Sequence, residues 1–412
     1  MVSIIALAVL FLCGAYLIFL AGRAAWDAVR VRRLDAAEQA WFEAKLASLA
    51  NPLREVSSPS ADSWVGYRKF ELRAKVLEAD DICSLYFVPH DGRPLPMYAP
   101  GQYLTFQLAP EDGQAQEVRC YSLSDSPTNP DYYRVSVKRL PDADGEARVS
   151  TYLHRQVNVG DLIDVKAPTG AFTLDQEYNG PLVFIAGGIG ITPFLSMINF
   201  LVATDSQREV WLFYGATHGG RHMLRDYLND VCAQHENVHS HVWYSSPREE
   251  DKPGEDYDQA GRVNMDEIKA TLSTNNFRFY ICGPGPMMDY VASGLREWGV
   301  PDAHIRLEAF GAESVKQITR GRSAANTESF KVRFARSERA LTWKPSSGSL
   351  LDFAETSDVP MYSGCRAGNC GSCTTAVRQG TVEYLKPPGI EIPPGSCLTC
   401  IAIPKSDIVL DA

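Results

Sequence analysis

Five of the ten cysteines in this 412-residue chain lie between Cys365 and Cys400. Cys365, Cys370 and Cys373 follow a C-x4-C-x2-C spacing, and Cys400 stands further on in the segment CLTCIAIP. Four thiolates so spaced suit a [2Fe–2S] cluster, in which two irons share four sulfurs. Chemistry of that kind moves one electron at a time. It requires sulfurs that converge and backbone amides turned towards them, and Gly364, Gly368 and Gly371 among the cysteines permit a loop to wrap that closely. A second count competes: Cys370-x2-Cys373 with Cys397-x2-Cys400 makes a CxxC pair of the kind that holds zinc, although it leaves Cys365 without a role. A third reading is five unligated thiols, which packing alone explains poorly in so short a segment.

Composition bounds the elements that must position such a loop. A chain of this length divides into two to four domains, and its 45% hydrophobic content is that of packed globular structure. The formal charge of −10 argues against a nucleic-acid binder. Cysteines this sparse elsewhere do not make a secreted disulfide scaffold, so a reducing compartment fits.

The N-terminus carries the membrane signal. Val2 to Ala21 contains no charge and is close to the roughly 20 apolar residues that span a bilayer. Arg23, Arg30, Arg32 and Arg33 follow, which by the positive-inside rule places the rest of the chain in the cytoplasm. A cleaved signal peptide is the rival reading, but no basic residue precedes the apolar run. Ala24 to Ala50 carries Trp26, Val29, Leu34, Trp41 and Leu46 at near-helical spacing, as an amphipathic juxtamembrane helix or a plain spacer would. Asn51 to Ser63 reads as a linker.

From Tyr67 to about Asp175, short alternating runs between Pro, Gly and Asp predict an antiparallel barrel or sandwich. Within it, Arg119 and Tyr121 share one face of a strand, so a guanidinium able to bind pyrophosphate sits beside a ring able to cover a flavin. A surface arginine beside a packing tyrosine is the plainer alternative. Downstream, Ser150 and Thr151 are placed at the start of a helix, where free amides favour a phosphate; ordinary capping is the alternative.

The pattern changes again at Pro181. The apolar run PLVFIA predicts a strand buried on both faces of a parallel sheet, and Gly187-Gly188-Ile-Gly190-Ile-Thr192-Pro193 follows as a turn through which backbone approaches a dinucleotide. VWLFYGA, then a helix over RHMLRDYLNDV, then VHSHVWYS and FRFYICGPGPMM continue the alternation, which predicts a doubly wound sheet. Cys282-Gly283-Pro284 ends a strand at the edge where ligands bind, with a buried core cysteine as the lesser alternative.

These motifs together resemble the ferredoxin–NADP reductase superfamily, most closely its flavohaemoglobin-like reductase branch joined to a C-terminal plant-type [2Fe–2S] ferredoxin domain. The resemblance runs from Tyr67 to the C-terminus. It implies that Arg119, Tyr121 and Ser122 bind a flavin, with Ser122 near its reactive nitrogen, and that Val137, Lys138, Gly145, Val149, Ser150 and Thr151 line the rest of the cofactor. FAD is implied, with FMN the lesser alternative. Gly187, Gly188, Gly190, Thr192 and Pro193 would receive NADH or NADPH, and Cys282, Gly283 and Pro284 would border the nicotinamide. Pro193 stands where dehydrogenases carry a third glycine, which matches the GxGxxP turn of this superfamily. Glu308 or Phe310 is implied to lie by the flavin ring, with a plain edge strand as the alternative, so Ser122, Cys282 and Glu308 are the expected catalytic residues. Cys400 is preferred to Cys397 as fourth metal ligand after Cys365, Cys370 and Cys373, because LTC before an apolar strand resembles the ferredoxin segment. No acidic residue directly follows WLFYG to hold a ribose hydroxyl, while His218, Arg221 and His222 are near enough in sequence to meet a 2′-phosphate.

The expected architecture is α/β plus β. Residues 1–22 form an anchor, 23–66 a juxtamembrane helix and linker, 67–178 a flavin-binding barrel, 179–314 a nucleotide-binding domain, 315–329 a linker and 330–412 a β-grasp ferredoxin domain. The implied activity is a membrane-anchored oxidoreductase that takes electrons from NAD(P)H through flavin to the cluster and on to an oxygenase, hydroxylase or desaturase. A flavin-binding sensor that does not turn over and a quinone reductase subunit are the alternatives. No globin-like segment is present for a self-contained dioxygenase.

Overall fold

The computed structural model describes residues 63–110, 116–140, 145–310 and 328–412. The apolar run 2–21, the segment 24–50 and most of the linker at 315–329 lie outside the described residues. Among the described residues, no helix is long and apolar enough to cross a membrane.

The first module is built from β1 (Tyr67–Ala79), β2 (Ile82–Pro89), β3 (Tyr103–Leu108), β4 (Glu117–Ser122), β5 (Tyr133–Lys138) and β6 (Leu162–Thr169), with α1 (Gly145–Arg155) between the last two. The strands form an antiparallel sheet in the order β4-β3-β6-β1-β2-β5. A bridge from Leu123 to Val135 joins its two edges, so the sheet closes. Register shifts near Leu72 and Leu77 let the long β1 bend and serve both β2 and β6. Phe70, Leu72, Phe87, Leu104, Phe106, Val135 and Val165 fill the interior, and α1 adds Val149 and Leu153 to the same core.

The α1 boundary corrects one expectation. The helix starts at Gly145 rather than near Ser150, because Val149 and Leu153, four residues apart, extend its apolar stripe back a full turn. The amides without helical partners therefore belong to 145–148, not to Ser150 and Thr151.

The second module contains β7 (Leu182–Gly187), α2 (Thr192–Ala203), β8 (Val210–Ala216), α3 (Arg225–Gln234), β9 (Val238–Tyr244), β10 (Gln259–Ala260), α4 (Met265–Leu272), β11 (Arg278–Cys282), α5 (Gly285–Glu297) and β12 (Ile305–Glu308). Its sheet is parallel, in the order β10-β9-β8-β7-β11-β12. Every residue of β7 is buried. Leu182, Phe184 and Ala186 enter one core, and Val183 and Ile185 enter the other. An all-apolar strand with both faces covered is the consequence of that position. The helix expected from Arg221 begins only at Arg225: Leu224 is left-handed (φ 52°), while Met223 and His222 turn inward as buried side chains.

The third module pairs β13 (Phe330–Phe334) with β14 (Arg339–Trp343), then adds α6 (Leu350–Thr356), β15 (Thr374–Gln379), β16 (Val382–Tyr384), β17 (Ser396–Leu398), β18 (Ala402–Pro404) and β19 (Ile408–Leu410). The main sheet runs β14-β13-β19-β15-β17, with β13 and β19 parallel. Ser349 and Asp352 cap α6 reciprocally, which fixes the helix against that sheet. This is the ferredoxin-like arrangement expected of the C-terminal segment.

Candidate active site

On β4, Arg119 and Tyr121 face one way and Cys120 and Ser122 the other. Arg119 is partly exposed, donates to Glu117 at 2.7 Å and to the Val118 carbonyl at 3.0 Å. Tyr121 meets Phe106 edge-on at 5.7 Å, which holds its ring upright at the barrel surface. Ser122 is buried at the strand end, paired with Tyr103 of β3. Val137 points into the barrel core and its carbonyl meets the His154 ring at 2.7 Å, so the backbone and the neighbouring Lys138 are what that strand offers a ligand. The Ser150 hydroxyl accepts the Leu140 amide at 3.1 Å, which ties α1 to the end of β5.

The nucleotide turn is set by backbone proximity. At Gly190 an added Cβ would run into the Cys282 carbonyl and lie 2.8 Å from the Gly283 amide nitrogen. At Gly283 it would lie 3.0 Å from Gly187. Gly188 is left-handed (φ 53°), which turns the chain out of β7. Thr192 donates to the Ile189 carbonyl at 3.0 Å, and Pro193 opens α2. The Gly187–Pro193 turn and Cys282–Pro284 therefore form one surface at the carboxyl ends of β7 and β11.

Cys282 and Glu308 are register partners on adjacent strands. Burial pushes the Cys282 thiol well above its ordinary range, and the Glu308 carboxyl adds to that. Burial also raises Glu308, opposed by the Lys386 ammonium and by the Asn369 amide. Glu308 nevertheless keeps some exposed surface and lines a cleft of about 540 Å³ with Phe172, Arg306, Asn369, Lys386 and Gly389. Phe310 follows β12, half-buried against a core of the nucleotide module.

The cysteine loop holds its sulfurs in two pairs. The Cys373 and Cys400 sulfurs are 3.1 Å apart. Cys365 Sγ accepts the amides of Asn369 at 3.3 Å and Cys370 at 3.2 Å, while Cys370 Sγ accepts the Cys365 amide at 3.2 Å. Gly368 and Gly371 are left-handed and carry the loop past Ile401 and Ile390. Among the described residues no three ligating side chains surround a single ion, but two thiolate pairs with amides aimed at the sulfurs fit a two-iron group. Cys397 does not join them: it lies in the core with Val332, Phe334 and Leu410. That splits the CxxC pair a zinc site would need.

Two features were missed in the sequence. Tyr103, the register partner of Ser122, donates its hydroxyl to the Asn369 carbonyl at 2.7 Å, so the strand beside β4 abuts the cysteine loop, and Cys120 on β4 meets Thr105 at 3.4 Å. Asn369 meets Glu308 across a module boundary, and Lys386 in turn donates to Asn369. Strand alternation turns Cys120 away from Arg119, but no pattern says what it meets.

At the ends of β8 and β9, a cavity of about 510 Å³ is lined by Glu78, His222, Arg225, Asp226, Glu250, Asp251 and Asp256 among others. The three residues suggested for a 2′-phosphate have partners within the protein: Arg221 pairs with Asp81 at 3.3 Å, buried His222 bonds Tyr244 at 2.8 Å, and His218 Nε2 meets Arg248 at 3.3 Å. Burial, then the Arg225 guanidinium, lowers His222 from 6.5 to about 4. A neutral buried ring stabilises the fold above the unfolded value of 6.5, and that stability is lost as pH falls towards about 4. We expect a loss of about 2 kcal/mol between pH 7 and pH 5, read from urea midpoints. His222→Gln should flatten the slope, and an unchanged slope would sink the assignment.

A flavin-type barrel, a parallel nucleotide-binding sheet and a ferredoxin-like cysteine domain, in this order, define a modular oxidoreductase. The models for oxidoreductase FAD-binding domains, oxidoreductase NAD-binding domains and 2Fe-2S iron-sulfur cluster binding domains match residues 70–174, 184–293 and 334–405. A flavohemoprotein of Bacillus anthracis is 36% identical over 284 residues, covering 67% of this chain and 70% of that protein. The FAD/NAD-binding domain of nitric oxide dioxygenase from Vibrio cholerae superposes with a TM-score of 0.54 at 32% identity, over 60% of this chain and all of that one. Phthalate dioxygenase reductase, described as a modular structure for electron transfer from pyridine nucleotides to [2Fe-2S], does so at 0.53 and 26% identity, over 84% of this chain and 98% of that one. The chain belongs to the ferredoxin–NADP reductase superfamily, as a flavohaemoglobin-like reductase with a C-terminal [2Fe–2S] ferredoxin domain. It is an NAD(P)H-dependent electron-transfer enzyme whose cofactors are FAD and a [2Fe–2S] cluster.

Proposed function

We propose that this reductase is anchored in the cytoplasmic membrane by residues 2–21, faces the cytoplasm, and delivers electrons to a partner oxygenase, hydroxylase or desaturase. The observation that carries the electron route is the abutment of barrel and cysteine loop: the Tyr103 hydroxyl donates to the Asn369 carbonyl at 2.7 Å and reaches the Gly389 carbonyl at 3.3 Å, and Tyr103 is the register partner of Ser122. When bound, the flavin converts a two-electron donor into single-electron transfers that the cluster relays.

The chain's residues divide the work. Arg119 binds the flavin's phosphates, Tyr121 covers its ring, and buried Ser122 supplies a hydroxyl at the strand end. The Gly187–Pro193 turn and Cys282–Pro284 orient the nicotinamide, and Phe310 excludes water from the same face. Cys365 with Cys370 and Cys373 with Cys400 would hold the two irons of the cluster, which would supply one-electron transfer there. The carboxylates around the cavity beyond β8 disfavour a 2′-phosphate, so NADH is the preferred donor.

The anchor is supported by the uncharged run and the arginines after it. The partner class is supported by the module order shared with phthalate dioxygenase reductase. One experiment tests the scheme: full-length protein should sediment with membranes and, once extracted in detergent, show flavin and cluster bands. Both should bleach anaerobically with NADH and more slowly with NADPH. A soluble, colourless protein would end this reading.

A further inference from the structure

Asn369 lies in the cysteine loop, yet its bonds reach both other modules. Its carbonyl accepts the Tyr103 hydroxyl of the barrel at 2.7 Å. Its side-chain Nδ2 donates to Glu308 Oε1 of the nucleotide domain at 3.2 Å, and its Oδ1 accepts from Lys386 Nζ at 3.4 Å. Its own amide donates to Cys365 Sγ at 3.3 Å. Asn369 and Tyr103 are 6% and 5% exposed, so water competes little for these bonds.

The neighbouring chain is shaped to the same purpose. Tyr103 also reaches the Gly389 carbonyl at 3.3 Å, and the Gly389 amide donates to Gly368 within the loop at 3.1 Å. A Cβ at Gly389 would strike the Asn369 carboxamide oxygen and lie 3.2 Å from the Tyr103 oxygen. Gly389 does not have a left-handed backbone, so the glycine there makes room for Asn369.

Modules joined by modest interfaces move relative to one another unless something fixes them. Tyr103 pairs with Ser122 on β4 and touches the loop through its hydroxyl, so one side chain spans from flavin strand to cysteine loop. We propose that Asn369 is a positioning residue, a three-way latch that holds the cysteine loop at a fixed separation from the flavin strand and from Glu308. It adds no electrons and takes none: the hydride donor's two electrons still leave singly, with one proton released to solvent. The inference rests on the functional reading above.

The test follows flavin and cluster absorbance separately after mixing full-length protein anaerobically with NADH. Asn369→Asp keeps the volume but puts a carboxylate oxygen where Nδ2 met Glu308, and Tyr103→Phe removes the barrel's bond without altering the loop. Both should leave flavin reduction unchanged and slow cluster reduction roughly tenfold or more, the order that follows loss of a group one layer beyond a metal's ligands. Iron content and the electron paramagnetic resonance g-values of the dithionite-reduced cluster should match wild type. Amide exchange in the loop of the resting protein should rise.

Wild-type cluster reduction in both variants would overturn the latch while leaving the electron route standing. Absence of a cluster from the wild type would overturn the route and the latch with it. Should Asn369→Asp assemble no cluster, Tyr103→Phe decides alone: slow transfer supports the latch and unchanged transfer overturns it.

Discussion

Replacing Cys400 by alanine is expected to abolish the cluster absorption and the reduction of a one-electron acceptor protein, while the flavin remains bound and is still reduced by NADH. The two sulfurs of the Cys373–Cys400 pair are 3.1 Å apart, and one of them cannot hold an iron alone. The free thiol three residues away offers no substitute. Cys397 pairs with Thr375 across β15 and β17, is fully buried, and faces the opposite core. Acceptor reduction should therefore fall by more than the roughly 10–100-fold that follows loss of a residue one layer beyond the metal. Cys397→Ala serves as the control and should keep its cluster. Iron content and visible spectra of the two proteins decide the matter: a cluster retained without Cys400 and lost without Cys397 would reverse the assignment.

How far the sequence foretold this arrangement depends on the range of the interaction. The flavin strand, the glycine turn and the cysteine loop are local patterns whose residues lie close along the chain, and each stands where its spacing placed it. The start of α1 was misjudged by five residues, because Ser150 looks like a cap while the buried Val149 that continues the helix looks unremarkable. Long-range pairings left no trace. Tyr103 and Asn369 are 266 residues apart, and an exposed or a buried tyrosine reads identically in an alternating strand. Arg221 and His222 were plausible phosphate contacts from their types alone; only the fold reveals that Asp81 and Tyr244 already engage them.

The same contrast bears on the polar bonds that cross the interfaces. Each module has its own apolar core. One core, however, continues from the nucleotide sheet to Cys373, Cys400 and Ile401, so the cysteine loop is seated against the nucleotide domain. Apolar seating brings the loop close but leaves its exact distance free, because such attraction is non-directional. Directional bonds from Asn369 to Tyr103 and Glu308 cross the module boundaries and, in the proposed latch, define the separation on which electron transfer depends.

Gly190→Ala should impair the donor side, as loss of Cys400 impairs the acceptor side. The added Cβ would collide with the Cys282 carbonyl and stand 2.6 Å from its carbon and 2.8 Å from the Gly283 nitrogen. These are backbone atoms on β11 and its following turn, locked by pairing with β7 and β12, so they cannot swing aside as a side chain would. Overpacking in a tight core costs about 1–3 kcal/mol, and the relief available here is to move the glycine turn away from Cys282–Pro284. Those two turns form the surface proposed to orient the nicotinamide, and an ångström of displacement there is expected to lower hydride transfer roughly 10²-fold. Dithionite needs neither turn, so it should reduce flavin and cluster in the variant as it does in wild type. Flavin bleaching by NADH should be slow at every donor concentration, and bleaching at the wild-type rate would show that the turn does not position the donor.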